Sequence, residues 1–312
     1  MAVSSLMSGR IREIAPTSQA LSAASPPSSV DVRYEVSLEL ASGDVKRLPL
    51  EPDTGLTLRR VSPPLCRECG AFLRQSAIQN VCYDCAQQFA RYDRCITSPD
   101  RCHFGQGTCR EPDWAAQFCM QPHVVYLSVT SGPKVGITRQ GRELRRWADQ
   151  GAHHALVIAQ LPSRHASGLV EHAARRLVSD RTDWRRLVRG VSMDVDLFDL
   201  AGQLKRELGS LDKLITGASG LAASADVDWH THLTLTALNY PVRAFSPAQM
   251  LKLTEAQPEF SGNLRGVIGS YLLFSQGVIA RSELLGGNID AEIGPRLNDV
   301  EGSPPQLSLF DV

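Results

Sequence analysis

The sequence has no net charge and no long apolar run. It contains 33 Lys and Arg against 33 Asp and Glu, and no apolar stretch approaches the roughly 18 residues that a transmembrane helix needs. Glycine (24) and proline (18) stay near their average share, which excludes collagen-like and low-complexity classes. The first thirty residues lack a basic segment followed by an apolar one, so no secretory signal is indicated. We therefore expect a cytoplasmic or nucleoid-associated protein without a membrane partner.

The zero net charge conceals one cationic segment. Residues 134–189 contain twelve Lys and Arg but only five Asp and Glu, which gives this segment a net charge of +7. A cationic, Arg-dominated segment inside a neutral protein favours a surface that binds a polyanion such as a nucleic acid. Solvated helix faces would produce the same composition, so charge alone does not decide between the two interpretations.

Cysteine is absent outside residues 66–119, and all eight cysteines lie within that window. Without a secretion signal, this clustering favours metal binding over disulfide bonds. The pairs Cys66-x2-Cys69 and Cys82-x2-Cys85, twelve residues apart, predict a site of four thiolates. Zn2+ suits such a site because a closed thiolate tetrahedron has no open position and needs no redox chemistry.

The remaining cysteines form a candidate second zinc site with less regular spacing. They are Cys95, Cys102, Cys109 and Cys119, separated by six, six and nine residues. His103 and His123 are near enough in sequence to replace one thiolate. The alternative is that these cysteines are buried and pack as small apolar side chains. Neither site is expected to be catalytic, because four protein ligands leave no position for water.

The order of patterns along the chain predicts an α+β fold. Residues 1–30 are rich in Ser, Ala and Pro, which is typical of a disordered tail. Polar and apolar residues alternate over 34–40, the period of a half-buried strand, and 45–50 can return as its hairpin partner. Residues 124–190 show the order β-β-α-β-α of one small α/β unit. The predicted parts are a disordered tail (1–30), a β-hairpin segment (31–62), a zinc-binding Cys-rich module (63–123), an α/β domain (124–190), a helical connector with a C-terminal β segment (191–297) and a flexible tail (298–312).

Several motifs resemble a bacterial family of unknown function. The stretch CHFGQGTCREPDW begins at Cys102, and VYL, KVGITR and RWADQGA follow at Val125, Lys134 and Arg146. The resemblance is dense over residues 66–184. Since that family implies no activity, the function has to be inferred from the residues themselves.

The segment that begins at Val124 also resembles a diverged core of the GIY-YIG nuclease superfamily. In this resemblance Val124-Val125-Tyr126 corresponds to the first motif and Lys134-Val135-Gly136 to the second, with Lys134 where the second tyrosine is usual. The spacer between the two motifs is short. The resemblance implies catalytic roles for five residues, which are Tyr126, Lys134, Arg145, Arg146 and Glu171.

The chemistry implied by this resemblance is phosphodiester hydrolysis with Mg2+. Glu171 would hold the metal ion, Tyr126 would activate water or relay its proton, and an arginine would clamp the phosphate. Two structural alternatives remain open from the residues alone. Tyr126 would then be a core aromatic on a strand, and Glu171 would pair with Arg175 at the i, i+4 spacing of a helix.

The last residues of the sequence resemble the motif that binds the bacterial replicative sliding clamp. The motif consists of Gln306, Leu307, Ser308, Leu309 and Phe310. This resemblance implies that the clamp is a partner and that the nucleic acid is DNA. The leading hypothesis is therefore a zinc-stabilised, metal-dependent, structure-selective endonuclease that acts in DNA repair and is recruited to the clamp. The alternatives are a non-catalytic nucleic-acid-binding adaptor in replication or repair and an RNA- or ribosome-associated zinc protein.

Overall fold

The computed structural model describes residues 5–17, 28–73, 80–219, 229–285 and 288–298. Its fold is α+β, which confirms the predicted class. The strands are β1 (Met7–Thr17), β2 (Ser29–Asp31), β3 (Arg33–Glu39), β4 (Val45–Pro49), β5 (Gly55–Arg60), β6 (His123–Val129), β7 (Pro133–Arg139), β8 (His154–Leu161), β9 (Thr236–Asn239), β10 (Glu259–Asn263), β11 (Gly266–Ile268), β12 (Tyr271–Leu273), β13 (Val278–Ala280) and β14 (Ile289–Gly294). The helices are α1 (Tyr83–Gln88), α2 (Arg94–Thr97), α3 (Pro112–Phe118), α4 (Glu143–Gln150), α5 (Arg164–Ala174), α6 (Trp184–Val188), α7 (Leu197–Leu208), α8 (Leu211–Ser219) and α9 (Arg281–Leu284).

Among the described residues, the largest sheet has six antiparallel strands in the order β10-β5-β14-β1-β3-β4. Alternation in the sequence sets the buried face of β3, where Tyr34, Val36 and Leu38 are buried and the residues between them are partly exposed. The pairing of β3 with β4 confirms the predicted hairpin. This hairpin forms one edge of a sheet that includes strands from both ends of the sequence.

The predicted disordered tail is wrong for residues 7–17, which form β1. This strand lies between β14 and β3 and pairs with both, and its Ile11 and Ile14 are buried in the core. The Ser, Ala and Pro residues that suggested disorder are concentrated in the sequence after Thr17. Averaging the composition over thirty residues therefore concealed a strand whose partners lie far away in sequence.

The central unit follows the predicted order, with β6, β7, α4, β8 and α5 succeeding one another. The strands β6, β7 and β8 belong to a sheet of order β2-β9-β8-β6-β7, in which β6 is antiparallel to both of its neighbours. Every residue of β6 is buried. Val125 and Leu127 belong to one apolar core with Val170 of α5, whereas Tyr126 belongs to another core with Trp147 of α4.

The helices α7 and α8 lie within the segment predicted as a helical connector, and a smaller sheet of β11, β12 and β13 follows them. A turn at Gly269 separates β11 from β12. None of the helices in the described ranges is long and apolar enough to cross a membrane.

The large sheet and the central unit share one hydrophobic core. Trp147 of α4 is fully buried in it together with residues of β1, β3, β5 and β14. The hydroxyl of Tyr34 donates a hydrogen bond to the carbonyl oxygen of Ala148 at 3.2 Å. This shared core fixes the position of α4, and therefore of its polar face, relative to the rest of the protein.

Candidate functional site

The first four cysteines come together as the spacing predicts. The Sγ atoms of Cys66, Cys69, Cys82 and Cys85 all lie within 4.8 Å of one another, and those of Cys69 and Cys82 are 3.7 Å apart. A tetrahedron of thiolates with Zn–S bonds of about 2.3 Å has sulfur–sulfur separations of about 3.8 Å. The donor set and its spacing therefore fit a metal ion such as zinc.

The environment of these thiols also favours a bound cation. Burial raises the pKa of Cys66, but hydrogen bonds from backbone N–H groups outweigh burial and lower this pKa to about 6. One of these groups is the N–H of Cys82, which donates to the Sγ of Cys66 at 3.3 Å. The neighbouring thiol of Cys82 and burial raise the pKa of Cys85. The Cys66 thiolate thus forms readily, whereas ionisation of Cys85 beside it is opposed. A divalent cation bound between the sulfur atoms would stabilise both thiolates.

The second group of candidate ligands differs from the predicted one. The ligand atoms that lie within 4.8 Å of one another here belong to Asp93, Cys95 and His103. Within the described ranges, Cys102, Cys109 and Cys119 do not join this group, although they lie close enough to raise the pKa of Cys95. Burial is the larger cause, and together with these neighbours it raises that pKa to about 12.

Hydrogen bonds orient two of these three ligands. Nε2 of His103 is 3.5 Å from Oδ2 of Asp93, and its Nδ1 is 2.8 Å from the hydroxyl of Thr108. Asp93 is also bound by Nε of Arg110 at 3.0 Å. His123, the other histidine that the sequence suggested, lies elsewhere on β6, where burial lowers its pKa to about 4.

A polar cleft with a volume of about 680 Å³ lies beside β7 and is lined by residues of α4, α5 and the Cys-rich segment. It brings together three of the predicted catalytic residues, Lys134, Arg146 and Glu171. The other polar residues that line it are Thr97, His123, Thr138, Arg139, Arg142, Gln150, Arg164, Arg175 and Asp180. Cations outnumber carboxylates at this surface, as the charge of the segment predicted.

Tyr126 lies directly behind the cleft wall. Its side chain is fully buried, and its hydroxyl lies beneath Gly136, where an added Cβ would come within 2.5 Å of the hydroxyl oxygen. Only glycine permits this close approach. The side-chain amide of Gln150 lies between the Tyr126 hydroxyl and the Arg146 guanidinium. When it is oriented to satisfy both, Nε2 of Gln150 donates to the Tyr126 hydroxyl at 2.8 Å, and Oε1 of Gln150 accepts from Nε of Arg146 at 3.1 Å. Tyr126 therefore helps to hold Arg146 in place.

Lys134 is a buried cation of the cleft with a perturbed pKa. Burial, and next the positive charge of Arg146, lower its pKa to about 8. Its Nζ is 3.5 Å from the hydroxyl of Thr182. A lysine with this pKa is present in part as the neutral amine near neutral pH, and a neutral amine can accept a proton.

Glu171 is buried on α5 and faces several arginines. Burial raises the pKa of its carboxyl group, while Arg175 and Arg164 act in the opposite direction. Nη2 of Arg175 is 3.4 Å from Oε2 of Glu171, and Nε of Arg175 is 3.0 Å from Asp180. The i, i+4 pair that the sequence left open is thus present, and it lies inside the cleft.

Arg145 does not line this cleft, so it does not converge there with the other predicted residues. Its guanidinium pairs with Asp149 at 3.3 Å and with Glu13 of β1 at 3.5 Å. Successive residues of an α-helix point about 100° apart, so Arg145 and Arg146 face different surroundings. Since Glu13 belongs to the strand that was missed, the sequence offered no sign of this partner.

The Cys-rich segment forms one wall of the cleft and is fixed to α5. Nη2 of Arg164 donates to the carbonyl oxygen of Ile96 at 2.5 Å. Pro99 packs so closely on Gly168 that a Cβ at the glycine would lie 2.4 Å from the proline side chain. Sequence reasoning missed Arg164 and this wall, because nothing local links residues 96–99 to α5.

An α+β fold, a four-thiol cluster that could hold a metal ion, and a cationic cleft define the class of this protein. Residues 54–287 match the family described as Protein of unknown function (DUF2797), and the chain belongs to this family. No curated protein matches the sequence, and no solved structure matches it either. The resemblances to GIY-YIG nucleases and to the clamp motif stay predictions, and residues 306–310 lie outside the described residues.

Proposed function

We propose that this protein is a zinc-stabilised, Mg2+-dependent endonuclease that selects nucleic acids by their structure. The observation that carries the proposal is the meeting of Lys134, Arg146 and Glu171 at one cleft. These residues come from β7, α4 and α5, and each occupies the position that the GIY-YIG resemblance implies for it. A buried amine, a held guanidinium and a buried carboxylate can supply the base, the phosphate-binding cation and the metal ligand of phosphodiester hydrolysis.

The arginines of the cleft would bind the phosphate that is cleaved. Arg142, Arg146, Arg164 and Arg175 all line it, and a planar guanidinium can bind two phosphate oxygens at once. Gln150 already fixes the direction of Arg146. Donors fixed before the reaction stabilise charge that develops on the phosphate without further reorganisation.

Lys134 is the group best placed to move a proton. Its lowered pKa provides neutral amine, so Nζ can take a proton from the attacking water. The Thr182 hydroxyl would orient that nitrogen. Tyr126 would act as a positioning residue, because its hydroxyl holds Gln150 and Gln150 holds Arg146.

Glu171 would hold Mg2+, with Asp180 available at the same cleft. In phosphate-processing sites this ion takes one or two carboxylates, and water and phosphate oxygens complete the octahedron, so the donor set fits. Bound Mg2+ neutralises charge on the phosphate and on the leaving oxygen. Arg175, which pairs with both carboxylates in the structure, would transfer to the phosphate when nucleic acid binds.

Zn2+ is the ion that the four-thiol site would hold, with a structural role. The second cluster would take another Zn2+ through Asp93, Cys95 and His103, with one of the nearby thiols, Cys102, Cys109 or Cys119, as the fourth ligand. The contact of Thr108 with Nδ1 of His103 supports this assignment, because histidine ligands usually have their second ring nitrogen hydrogen-bonded.

The proposed setting is DNA held near the replicative sliding clamp. The motif at residues 306–310 supports it, with Leu307, Leu309 and Phe310 as apolar anchors and Gln306 as the hydrogen-bonding residue. The sequence between the described fold and this motif includes Pro304-Pro305, which favours an extended approach to a groove. Recruitment of this kind would bring the cleft to newly made or damaged DNA.

A non-catalytic nucleic-acid-binding adaptor is the second candidate function. Two observations favour it: Glu171 is already paired with Arg175, and the Tyr126 hydroxyl is fully buried. Both groups are thus satisfied without a substrate or a metal ion. The cationic cleft would then bind nucleic acid and present it to other repair factors.

Cleavage assays with Mg2+ on branched, nicked and linear DNA and on RNA separate these functions. We expect the wild-type protein to cleave a branched DNA, and Glu171→Gln to lose cleavage while it keeps salt-sensitive binding. Arg145→Ala, whose side chain lies outside the cleft, is the control and should cleave normally. Binding without cleavage by the wild-type protein would favour the adaptor, cleavage of RNA alone would exclude the DNA setting, and no binding would refute both candidates.

A further inference from the structure

An aromatic and guanidinium stack lies at the wall of the cleft that the Cys-rich segment and β7 form. Trp114 and Phe118, one helical turn apart on α3, have stacked rings with centroids 4.7 Å apart and an angle of 16°. The guanidinium of Arg139 lies over the Phe118 ring, 5.0 Å from its centroid. Phe118 and Arg139 both line the cleft. Two rings and one guanidinium plane are thus held in order beside the cations.

This stack does not serve the apolar core. The core clusters formed by the described residues include neither Trp114 nor Phe118, and Phe118 is 37% exposed. Trp114 and Arg139 both lie over the Phe118 ring, so a further planar group can add only at an end of this stack. A guanidinium or an aromatic ring at the end of such a stack, beside a cationic cleft, can bind a nucleobase by stacking.

We propose that Trp114, Phe118 and Arg139 form a binding site for one unpaired base, which identifies the substrate as nucleic acid with an unstacked nucleotide. The proposal depends on nucleic-acid binding at the cleft, as proposed above, but not on cleavage. Paired bases in a duplex have both faces covered by their neighbours, so only an unpaired or flipped-out base can add to the stack. Stacking on a ring or a guanidinium is tolerant of sequence, because every base has a π face.

The stack lies at a distance from the groups proposed for catalysis. Arg139 and Lys134 are five residues apart on β7, which separates their Cα atoms by about 16 Å. The stacked base and the phosphate bound near Lys134 would therefore belong to different nucleotides of one strand. The protein would select a structure by its free base and act on the backbone at a fixed offset from it.

Two single-stranded DNA probes of equal length test this site. One carries normal bases, and the other has the same sugar-phosphate backbone with abasic residues throughout. Fluorescence anisotropy should show that the wild-type protein binds the base-bearing strand more tightly. Phe118→Ala should weaken binding of that strand by about 5–150-fold, since a stacked base contributes about 1–3 kcal/mol, and should leave the abasic strand unaffected.

Two further variants complete the test. Phe118→Tyr keeps a ring and should bind the base-bearing strand more tightly than the abasic strand, as the wild-type protein does. Phe198→Ala removes another exposed Phe, on α7, and should change the affinity for neither strand. Equal binding of the two probes by the wild-type protein would overturn the stacking site and leave cleft binding intact, and this comparison needs no variant. Equal weakening of both probes by Phe118→Ala would also overturn it. Binding of neither probe would refute the proposed function as well.

Discussion

Arg145 and Arg146 are adjacent on α4 but face different surroundings, so they provide a matched pair of substitutions. Arg146 lines the cleft and is held by Gln150, whereas Arg145 pairs with Asp149 and Glu13 outside it. Replacing either by Ala removes one positive charge from the same helix. If the cleft binds the phosphate backbone, only Arg146→Ala should weaken nucleic-acid binding.

The expected difference between the two variants is large. A hydrogen bond between a guanidinium and an anionic oxygen contributes about 1.5–3 kcal/mol, so Arg146→Ala should weaken binding by about 10–150-fold. One phosphate contact fewer should also reduce the slope of log K against log salt by about 0.9. The ion pairs of Arg145 are partly exposed and contribute about 0–1 kcal/mol. Arg145→Ala should therefore lower stability slightly and leave the salt slope unchanged.

Anisotropy titrations of a labelled branched DNA at several salt concentrations measure both quantities. Circular dichroism of each variant confirms that it is folded. An equal loss of affinity in the two variants would show that binding depends on overall charge and not on the cleft. A loss confined to Arg145→Ala would place the nucleic acid on the opposite side of α4 and refute the reasoning.

Three further outcomes are expected. Cys66→Ala should lose the ion of the first cluster and melt at a lower temperature, because the binding energy of a structural metal is folding energy; metal analysis that shows an unchanged content would contradict this. Burial lowers the pKa of Lys134 to about 8. Between about pH 8 and the ordinary lysine pKa, the unfolded chain therefore keeps a proton on Lys134 that the folded chain has lost. The free energy of unfolding in urea should therefore rise between about pH 8 and pH 10, and it should rise less in Lys134→Met. An equal rise in the wild-type protein and the variant would refute the lowered pKa of Lys134. A labelled peptide of residues 302–312 should bind purified sliding clamp with about micromolar affinity, and joint replacement of Leu309 and Phe310 by Ala should abolish binding. Equal, negligible binding of both peptides would rule out the clamp.

Local patterns predicted the parts of the site that depend on nearby residues. The four-thiol cluster follows from two short spacings, because each C-x2-C pair forms its own turn and requires only that the two turns meet. The order β-β-α-β-α follows from runs of residues whose period is visible in the sequence. Lys134, Arg146 and Glu171 meet because that order places β7, α4 and α5 around one end of the sheet.

Contacts between distant parts of the sequence could not be predicted in this way. Arg145 pairs with Glu13 of β1, a strand that no local signal indicated. Phe118 and Pro99 both line the cleft, and Pro99 packs against Gly168 of α5, a contact between two segments of different character. The ligands predicted for the second cysteine cluster were thiols and imidazoles and did not include Asp93. A carboxylate can also bind Zn2+, so the position of Asp93 two residues before Cys95 was a usable signal.

The pairing of β1 with β14 has a consequence for how the protein is made. Met7 lies opposite Ile293 in this ladder, so β1 must await a partner that is synthesised long after it. The central unit and the cysteine cluster, encoded between these strands, can fold while the sheet is still incomplete. Sheet closure over so long a loop is expected to be the slow step. Until it occurs, the edges of β1 and β5 that pair with β14 are open to other chains, and chaperones would be needed most at that stage.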